Sequence, residues 1–317
     1  MSRVITWESD SASLGPAVVA MGVFDGVHIG HRALISDAVA RAREAGVASA
    51  VLTFDRDPDQ VVTPESTSPQ LLPLKEKIER IADLGVDVIL VVAFCVRLAT
   101  TTPDRFLDDI LCQAFEPVAV VVGHDFRFGQ HASGTVATLR AYGDAQGFLT
   151  VDHDLVRVDG QPVTSTRIRA LVAAGEVEAA AVLLGRSHCV SGRVVHGRGI
   201  GESLLGIPTA NISPAAHSAL PADGVYAGVA RIDGTAYAAG ISVGLPPTFP
   251  EARDPLEAHL LDFAGDLYAT DITIDFCERL REQRHFDSPA ELASAIEADL
   301  ARVRLRIALP TTDEECR

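Results

Sequence analysis

The sequence has few cysteines, no long apolar runs and no excess of positive charge, and each shortage excludes a class of protein. The cysteines are scattered and odd in number, without a C-x-x-C pair, so neither a disulfide framework nor a zinc site is indicated. The apolar runs, such as 86–94, have the length of strands and are too short to cross a bilayer. The first residues include Glu8 and Asp10 and lack an apolar segment, so we expect no signal peptide. A soluble, cytoplasmic protein without a membrane partner follows.

The formal charge of −16 argues against a nucleic-acid partner, because no field attracts a polyphosphate backbone. A mononucleotide ligand is still compatible with this negative charge, since backbone N–H groups, a few arginines and Mg²⁺ can hold a small anion. The length of 317 residues allows two ordinary domains, each with its own core. We expect small-molecule substrates as partners, and a monomer or a weak homo-oligomer.

The first half of the chain alternates short apolar runs with amphipathic stretches. This alternation predicts a mostly parallel sheet covered by helices on both faces, with the ligand crevice at the carboxyl ends of its strands. The two ends of the chain, 1–16 and 310–317, are expected to be loosely held. The predicted strands are 18–21, 47–54, 86–94, 118–123 and 148–151, and the clearest predicted helices are 32–44 and 74–84, the second with Gly85 as its C-cap.

The second half has the pattern of antiparallel strands. Asp233-Gly234 between two apolar runs is a strong hairpin signal, and a final helix from Pro289 to about Ile307 follows Asp287 and Ser288, either of which could cap it. A small β-barrel or β-sandwich closed by a helix is predicted, with domains 1–184 and 185–317. The predicted strands are 190–195, 225–232, 236–243, 258–263 and 272–276.

The segment Gly22–His31 follows the first predicted strand and opens a helix. Its glycines let the backbone approach a ligand, and the helix terminus presents N–H groups to phosphate. His28 and His31 can donate hydrogen bonds to phosphate oxygens whose charge grows in a transition state. A metal pair or helix-capping side chains are the alternative interpretation of the two imidazoles. The residues predicted here to bind ATP or phosphate are Gly22, Phe24, Asp25, Gly26 and Gly30.

This segment resembles the signature of the HxGH nucleotidyltransferases, and specifically of their flavin branch. Residues 122–129 (VGHDFRFG) and 164–169 (TSTRIR) resemble further motifs of that branch; alone, the latter could equally be a helix cap with solvated arginines. The resemblance implies a Rossmann-like domain in which the phosphate of FMN attacks the α-phosphorus of ATP in line, with pyrophosphate leaving. It implies catalytic roles for His28 and His31, ATP or phosphate binding by Ser165, Thr166, Arg167 and Arg169, and flavin binding by Asp125, Phe126 and Phe128.

One departure from the family pattern lies in residues 53–58 (TFDRDP), where the family usually has Phe-Asp-Pro-His-Pro. In this sequence Arg56 replaces a proline of the family pattern, and Asp57 replaces its histidine. A carboxylate beside bound phosphates should weaken anion stabilisation, unless Arg56 compensates or Asp57 meets Mg²⁺.

The segment Gly206–Asn211 matches the Pro-Thr-Ala-Asn motif of the riboflavin kinase family, and 192–201 and 220–228 resemble segments on either side of it. The resemblance implies an antiparallel β-barrel with a terminal helix. A glycine-rich loop can fold over ATP, and hydroxyl and amide oxygens suit Mg²⁺. The predicted residues are Gly197 and Gly199 for ATP, Thr209 and Asn211 for Mg²⁺, Glu257 as the base that accepts the ribityl hydroxyl proton, and Arg281 for flavin.

A second departure lies in residues 242–249 (SVGLPPTF), where Leu245 and Pro246 replace a hydroxyl and an amide of the usual Val-Gly-Thr-Asn-Pro-Thr-Phe. The resemblance as a whole covers about residues 17 to 305. It predicts an enzyme that converts riboflavin to FMN and FMN to FAD, with two molecules of ATP and with Mg²⁺. The alternatives are a kinase with a degenerate adenylyltransferase site, a paralogue acting on a modified flavin, and a non-catalytic flavin-binding protein.

Overall fold

A computed structural model describes residues 2–8, 13–66, 68–196, 207–244 and 256–307. The chain forms two compact units, Met1–Ser165 and Thr166–Arg317.

The first unit is built on a parallel sheet of six strands in the order β1-β4-β3-β2-β5-β6. The chain moves outward from β2 through β3 and β4, and then continues with β5 on the other side of β2. Such a reversal opens a crevice at the carboxyl ends of the strands. The five strands predicted for this half are confirmed. The strands are β1 (Arg3–Thr6), β2 (Pro16–Met21), β3 (Ala48–Phe54), β4 (Val88–Val92), β5 (Glu116–Gly123) and β6 (Leu149–His153).

Helices connect these strands and cover the sheet. The two clearest predicted helices are confirmed as α1 and α3. The prediction of Gly85 as the C-cap is wrong, because α3 ends at Ala82 with Asp83 as its C-cap; Gly85, with φ +79°, lies two residues further and donates its backbone N–H to the Ala82 carbonyl over 2.9 Å. A π-helical segment, Leu107–Cys112, continues α5, and β7 (Arg157–Val158) and β8 (Gln161–Pro162) form a small hairpin. The helices are α1 (Ile29–Ala45), α2 (Asp59–Val62), α3 (Leu74–Ala82), α4 (Val96–Ala99), α5 (Pro103–Phe106) and α6 (Val136–Gln146).

The prediction that the first sixteen residues are loosely held is wrong for the part that forms β1. This strand pairs in parallel with β4, and the N–H of Trp7 extends the ladder to the carbonyl of Val91 over 2.8 Å. Because three of its four side chains are exposed, the strand carries no apolar pattern that sequence analysis could detect. Backbone hydrogen bonds to the sheet edge hold it instead.

The second unit is a closed antiparallel barrel with the strand order β10-β13-β12-β11-β14-β9. Of the two predicted architectures, the β-barrel is therefore the correct one and the β-sandwich is not. The five predicted strands are confirmed, whereas β10 was missed. Asp233 and Gly234 both have positive φ, +47° and +83°, as a two-residue hairpin turn of the primed type requires. The strands are β9 (His188–Val195), β10 (Ala210–Pro214), β11 (Gly224–Ile232), β12 (Thr235–Val243), β13 (Leu256–Leu260) and β14 (Asp271–Arg281).

The predicted final helix is present as α9 (Pro289–Arg306), and Ser288 caps it by accepting the N–H of Glu291 over 3.2 Å. The helix lies close against the barrel at Gly240, where a Cβ would come within 2.9 Å of the Leu300 side chain. None of the helices in the described part of the chain combines the length and apolarity that a membrane span needs.

Two further helices, α7 (Ser165–Ala173) and α8 (Val177–Leu184), precede the barrel in sequence. Val177 packs in the barrel core with Val190 and Tyr226, so α8 shares the core of the second unit. The domain boundary at residues 184 and 185 stays a prediction.

Candidate active sites

The glycine turn between β2 and α1 has an unusual backbone. Phe24, Gly26 and Val27 all have positive φ, +55°, +81° and +40°, a region that is costly for a bulky or β-branched residue. At Gly22 a Cβ would lie 2.9 Å from the Phe24 ring, so glycine is needed for the ring to fold back over the turn. The turn therefore has a strained conformation at the carboxyl end of β2, where the sheet order reverses.

His28 occupies the N-cap of α1, and its Nδ1 accepts the backbone N–H of His31 over 3.2 Å. The hydrogen of the neutral His28 ring must therefore be on Nε2. The His28 and His31 rings stack with centroids 3.5 Å apart, and a Cβ at Gly30 would lie 3.2 Å from the His28 ring. Capping, one of the alternatives for these imidazoles, is thus confirmed for His28 through its Nδ1.

His31 packs its ring edge-on to Phe24, with centroids 5.2 Å apart. Its Nδ1 is buried and has no hydrogen-bond partner among the described residues. Burial, and then the nearby His28 and Lys77, lower the pKa of His31 well below its ordinary value. The ring is therefore neutral at pH 7 and can donate one hydrogen bond without carrying a charge. In the part of the chain that the structure describes, no cluster of three or more His, Cys, Asp or Glu side chains could hold a metal.

Asp25 is 4% exposed and anchors the turn. Its Oδ1 accepts the N–H groups of Leu71 and Leu72 over 3.0 and 3.2 Å, and its carbonyl accepts the Ser165 hydroxyl over 2.9 Å. The turn is thereby fixed to the segment before α3. Of the predicted phosphate-binding residues that follow Ser165, Thr166 is exposed, and Arg167 and Arg169 are half-buried on α7.

The predicted flavin residues follow β5 at the same edge of the sheet. The Phe126 and Phe128 rings stack with centroids 5.5 Å apart. Phe128 is buried against Phe106, whereas Phe126 is half-buried and Asp125 is exposed. Phe126 and Asp125 can therefore contact a ligand, and Phe128 supports Phe126 from the core.

Sequence reasoning missed Lys77, which is 4% exposed behind this edge. Its Nζ donates to the carbonyls of Phe54 and Val23, over 2.7 and 3.2 Å. Burial lowers the pKa of Lys77, and Asp57, Asp25 and Asp55 oppose that shift. The signal was its position four residues before the buried Ile81 on α3, which puts a cation on the apolar face of the helix.

The barrel aligns several predicted kinase residues in one row around its wall. Asn211 on β10 is opposite Glu257 on β13, and Glu257 is also opposite Ser242 on β12. The row continues from Ser242 to Val225 and then to Arg281 on β14. Because Ile212, Ala258 and Ile241 beside these residues are buried in the barrel core, strand alternation directs the Asn211, Glu257 and Ser242 side chains outward.

Thr209 precedes β10 and lies two residues before Asn211, so alternation favours the same side of the strand. His259 holds this segment in place, since its Nδ1 donates to the carbonyl of Pro208 over 2.7 Å. Gly197 and Gly199, like Leu245 and Pro246, lie outside the described residues.

Arg281 has a structural partner that the sequence did not indicate. Its guanidinium bonds Asp299 on α9 through Nε and Nη2, over 2.9 and 2.8 Å. It also lies 5.5 Å from the centroid of the Phe286 ring. Arg281 therefore attaches α9 to the barrel, and its binding of flavin stays a prediction.

The first unit has a parallel sheet with two stacked imidazoles at the point where the strand order reverses. The second unit has a barrel with an amide and a carboxylate opposite each other. Together these features define a two-domain transferase that uses nucleotides. Residues 10–167 match the FAD synthetase family and residues 184–307 match the riboflavin kinase family. The bifunctional riboflavin kinase/FMN adenylyltransferase of Pseudomonas fluorescens is 38% identical over 90% of this chain and 92% of the relative. That of Bacillus subtilis is 35% identical over 89% and 90%.

The chain belongs to the family of bifunctional riboflavin kinase/FMN adenylyltransferases. A crystal structure described as a macrolide-efflux protein from Streptococcus pneumoniae shares the fold, with a TM-score of 0.84 and 29% identity over 95% of this chain and 98% of that one.

Proposed function

We propose that the chain phosphorylates riboflavin to FMN at the barrel row and adenylylates FMN to FAD at the glycine turn, with one ATP for each step. The observation that carries the proposal is the coexistence in one chain of the stacked His28 and His31 at the switch point and the opposed Asn211 and Glu257 on the barrel. Each pair has the chemistry that one of the two reactions needs.

In the first unit the turn orients the triphosphate of ATP so that an FMN phosphate oxygen attacks the α-phosphorus in line. The Nε2 hydrogen of His28 and the one ring hydrogen of neutral His31 donate to phosphate oxygens as their charge increases. The phosphoanhydride bond that joins the two halves of FAD forms as the bond between the α-phosphorus and the leaving pyrophosphate breaks. Phe126 and Asp125 offer the flavin an aromatic face and a polar group at the same edge.

In the barrel, the Glu257 carboxylate accepts the proton of the ribityl hydroxyl as its oxygen attacks the γ-phosphorus of a second ATP. Asn211, directly opposite Glu257, and Thr209 supply neutral oxygen atoms beside it. ADP leaves and the phosphate ester of FMN remains.

Mg²⁺ fits this donor set. It prefers oxygen ligands and is usually held by one or two protein oxygens together with substrate phosphates, which a hydroxyl and an amide at the end of one strand can provide. Thr209 and Asn211 would hold the ion, and it would neutralise charge on the phosphates of ATP.

The test is chromatography of the products formed with riboflavin, ATP and Mg²⁺, and separately with FMN, ATP and Mg²⁺. FMN followed by FAD from the first mixture and FAD from the second support the proposal. FMN alone would restrict the chain to a kinase, and no product from either mixture would overturn both assignments. We further propose that the chain acts in the cytoplasm, where ATP and free flavins are available, as a monomer or a weak homo-oligomer.

A further inference from the structure

The chain contains two lysines, Lys75 and Lys77, and both lie on α3. Lys75 is exposed, whereas Lys77 is 4% exposed. A buried ammonium group is costly unless hydrogen bonds and counter-charges compensate it. The surroundings of Lys77 therefore indicate what its charge does.

The Lys77 ammonium joins the carboxyl ends of two strands at the adenylyltransferase site. It donates to the carbonyl of Phe54, the last residue of β3, and to the carbonyl of Val23 in the glycine turn. The Val23 carbonyl also accepts the Thr53 hydroxyl over 3.0 Å. A single buried side chain thus fixes the turn to the neighbouring strand.

The same part of the chain holds the turn at a second point. The N–H groups of Leu71 and Leu72, shortly before α3, bind the Asp25 carboxylate. Val23 and Asp25 flank Phe24, whose φ is +55°. A strained backbone persists only where its neighbours over-determine it, and these two anchors on either side of Phe24 do so.

Asp57, which stands where the family usually has histidine, is 6% exposed. Its negative charge favours the Lys77 ammonium more than that of Asp25 or Asp55 does. A carboxylate buried beside a buried cation contributes charge compensation, and one directed at the triphosphate would repel the substrate. The burial of Asp57 favours the first role.

We propose that Lys77 is a positioning residue for adenylyl transfer, and that Asp57 is its counter-charge rather than a group facing the triphosphate. Lys77 acts through the turn: it holds Phe24 and the residues that lead to His28 in the conformation that receives ATP. The inference rests on the adenylyltransferase activity proposed above.

The two possible roles of Asp57 predict changes of opposite sign in kcat/KM for ATP when Asp57 is replaced by Asn. As a counter-charge, its loss loosens Lys77 and the turn, and kcat/KM for ATP in FAD formation falls about tenfold or more, because small misplacements at a reacting centre are costly. If Asp57 faced the phosphates, removing its charge would raise kcat/KM, and the proposal would be wrong. Asp83→Asn, at an exposed position just after α3, is the matched control and should leave kcat/KM unchanged.

Lys77→Met tests positioning directly, with Lys75→Met as the control on the same helix. We expect Lys77→Met to lower kcat for FAD formation by about tenfold or more with a smaller change in KM for ATP, and Lys77→Arg to recover part of the loss. In the double variant Lys77→Met/Asp57→Asn the two losses should not add, because both substitutions act on the same buried positive charge. FMN formation from riboflavin by the same preparations checks that the barrel is folded, and their thermal unfolding curves check the first unit.

A drop in melting temperature with unchanged kcat would reduce Lys77 to a structural residue and overturn the inference. If Lys77→Met does not fold, the direction in which Asp57→Asn changes kcat/KM for ATP still decides whether the inference holds. A wild-type chain that makes no FAD would instead contradict the proposed function itself, so the two failures are distinguishable.

Discussion

Asn211 and Glu257 lie directly opposite each other on adjacent strands of the barrel. Opposed residues of an antiparallel pair have their Cβ atoms roughly 5 Å apart on one face, so the amide and the carboxylate converge on the same space. The sequence motifs indicated each residue separately, and the strand register shows that they are neighbours.

Glu257→Gln should remove the base and leave the shape of the site. FMN formation from riboflavin should fall about 10²-fold or more, which is the usual contribution of a positioned base. FAD formation from supplied FMN should be unchanged, and both rates can be measured on one preparation. Equal losses in both reactions would contradict the assignment of Glu257 to the kinase alone.

His28→Asn separates the two roles of His28. Asparagine is a good N-cap, so α1 should keep its start while the ring hydrogen at Nε2 is lost. We expect FAD formation to fall about 10²-fold, as when one donor to a developing negative charge is removed, with FMN formation unaffected. An Asn variant as active as the wild type would leave His28 with capping as its only role.

Gln283 and Ser242 form a pair beside Glu257. The Gln283 amide donates to the Ser242 hydroxyl oxygen over 2.8 Å, so the hydroxyl hydrogen is directed elsewhere, and Glu257 is the opposed residue on β13. We expect this hydroxyl to donate to the Glu257 carboxylate, and such a donor stabilises the charged form. Ser242→Ala should therefore move the acid limb of the pH profile for FMN formation to higher pH.

Ser213→Ala, on an exposed position of β10, is the control for that measurement. An acid limb that stays in place in Ser242→Ala, with kcat also unchanged, would show that the hydroxyl does not act on Glu257.

His188 makes the stability of the barrel depend on pH. It is 1% exposed, bonds the Ala219 carbonyl over 2.7 Å, and burial lowers the pKa of its ring to about 4. The unfolded chain, with an ordinary histidine pKa of about 6.5, binds more protons between these values. Stability is therefore full above about pH 6.5 and falls as the pH decreases toward 4, by up to about 3 kcal/mol.

Urea unfolding near pH 7 and near pH 5, with hydrogen exchange of the β9 amides, measures this loss. His285→Gln, which changes an exposed imidazole, should leave the loss in place, and His188→Phe should reduce it. A pH dependence that is the same in all three proteins would exclude His188 as its source.

The apolar runs predicted the buried strands because burial on both faces leaves an uninterrupted hydrophobic pattern. They missed β1 and β10, for which that pattern is absent. β1 is mostly exposed, and β10 has Ile212 as its one fully buried residue among the described strand positions. Both strands are fixed by pairing with distant segments, which local composition does not encode.

At the proposed sites, the resemblance to family motifs indicated His28, His31, Asn211 and Glu257, and their roles stay predictions. The supporting contacts could not be predicted in the same way. Lys77 and Gln283 act on partners far away in sequence, and Phe128 differs from Phe126 in burial alone.

The row that carries Asn211, Glu257 and Ser242 is set by the same strand pairing that fills the barrel core. Inserting or deleting one residue within β13 would exchange the faces of Glu257 and Ala258, and would put a carboxylate among the apolar side chains while removing it from the row that carries Asn211 and Ser242. The pairing that keeps the barrel folded therefore also keeps Glu257, the proposed base, on the outer face. Length changes within the barrel strands should accordingly be poorly tolerated in this protein.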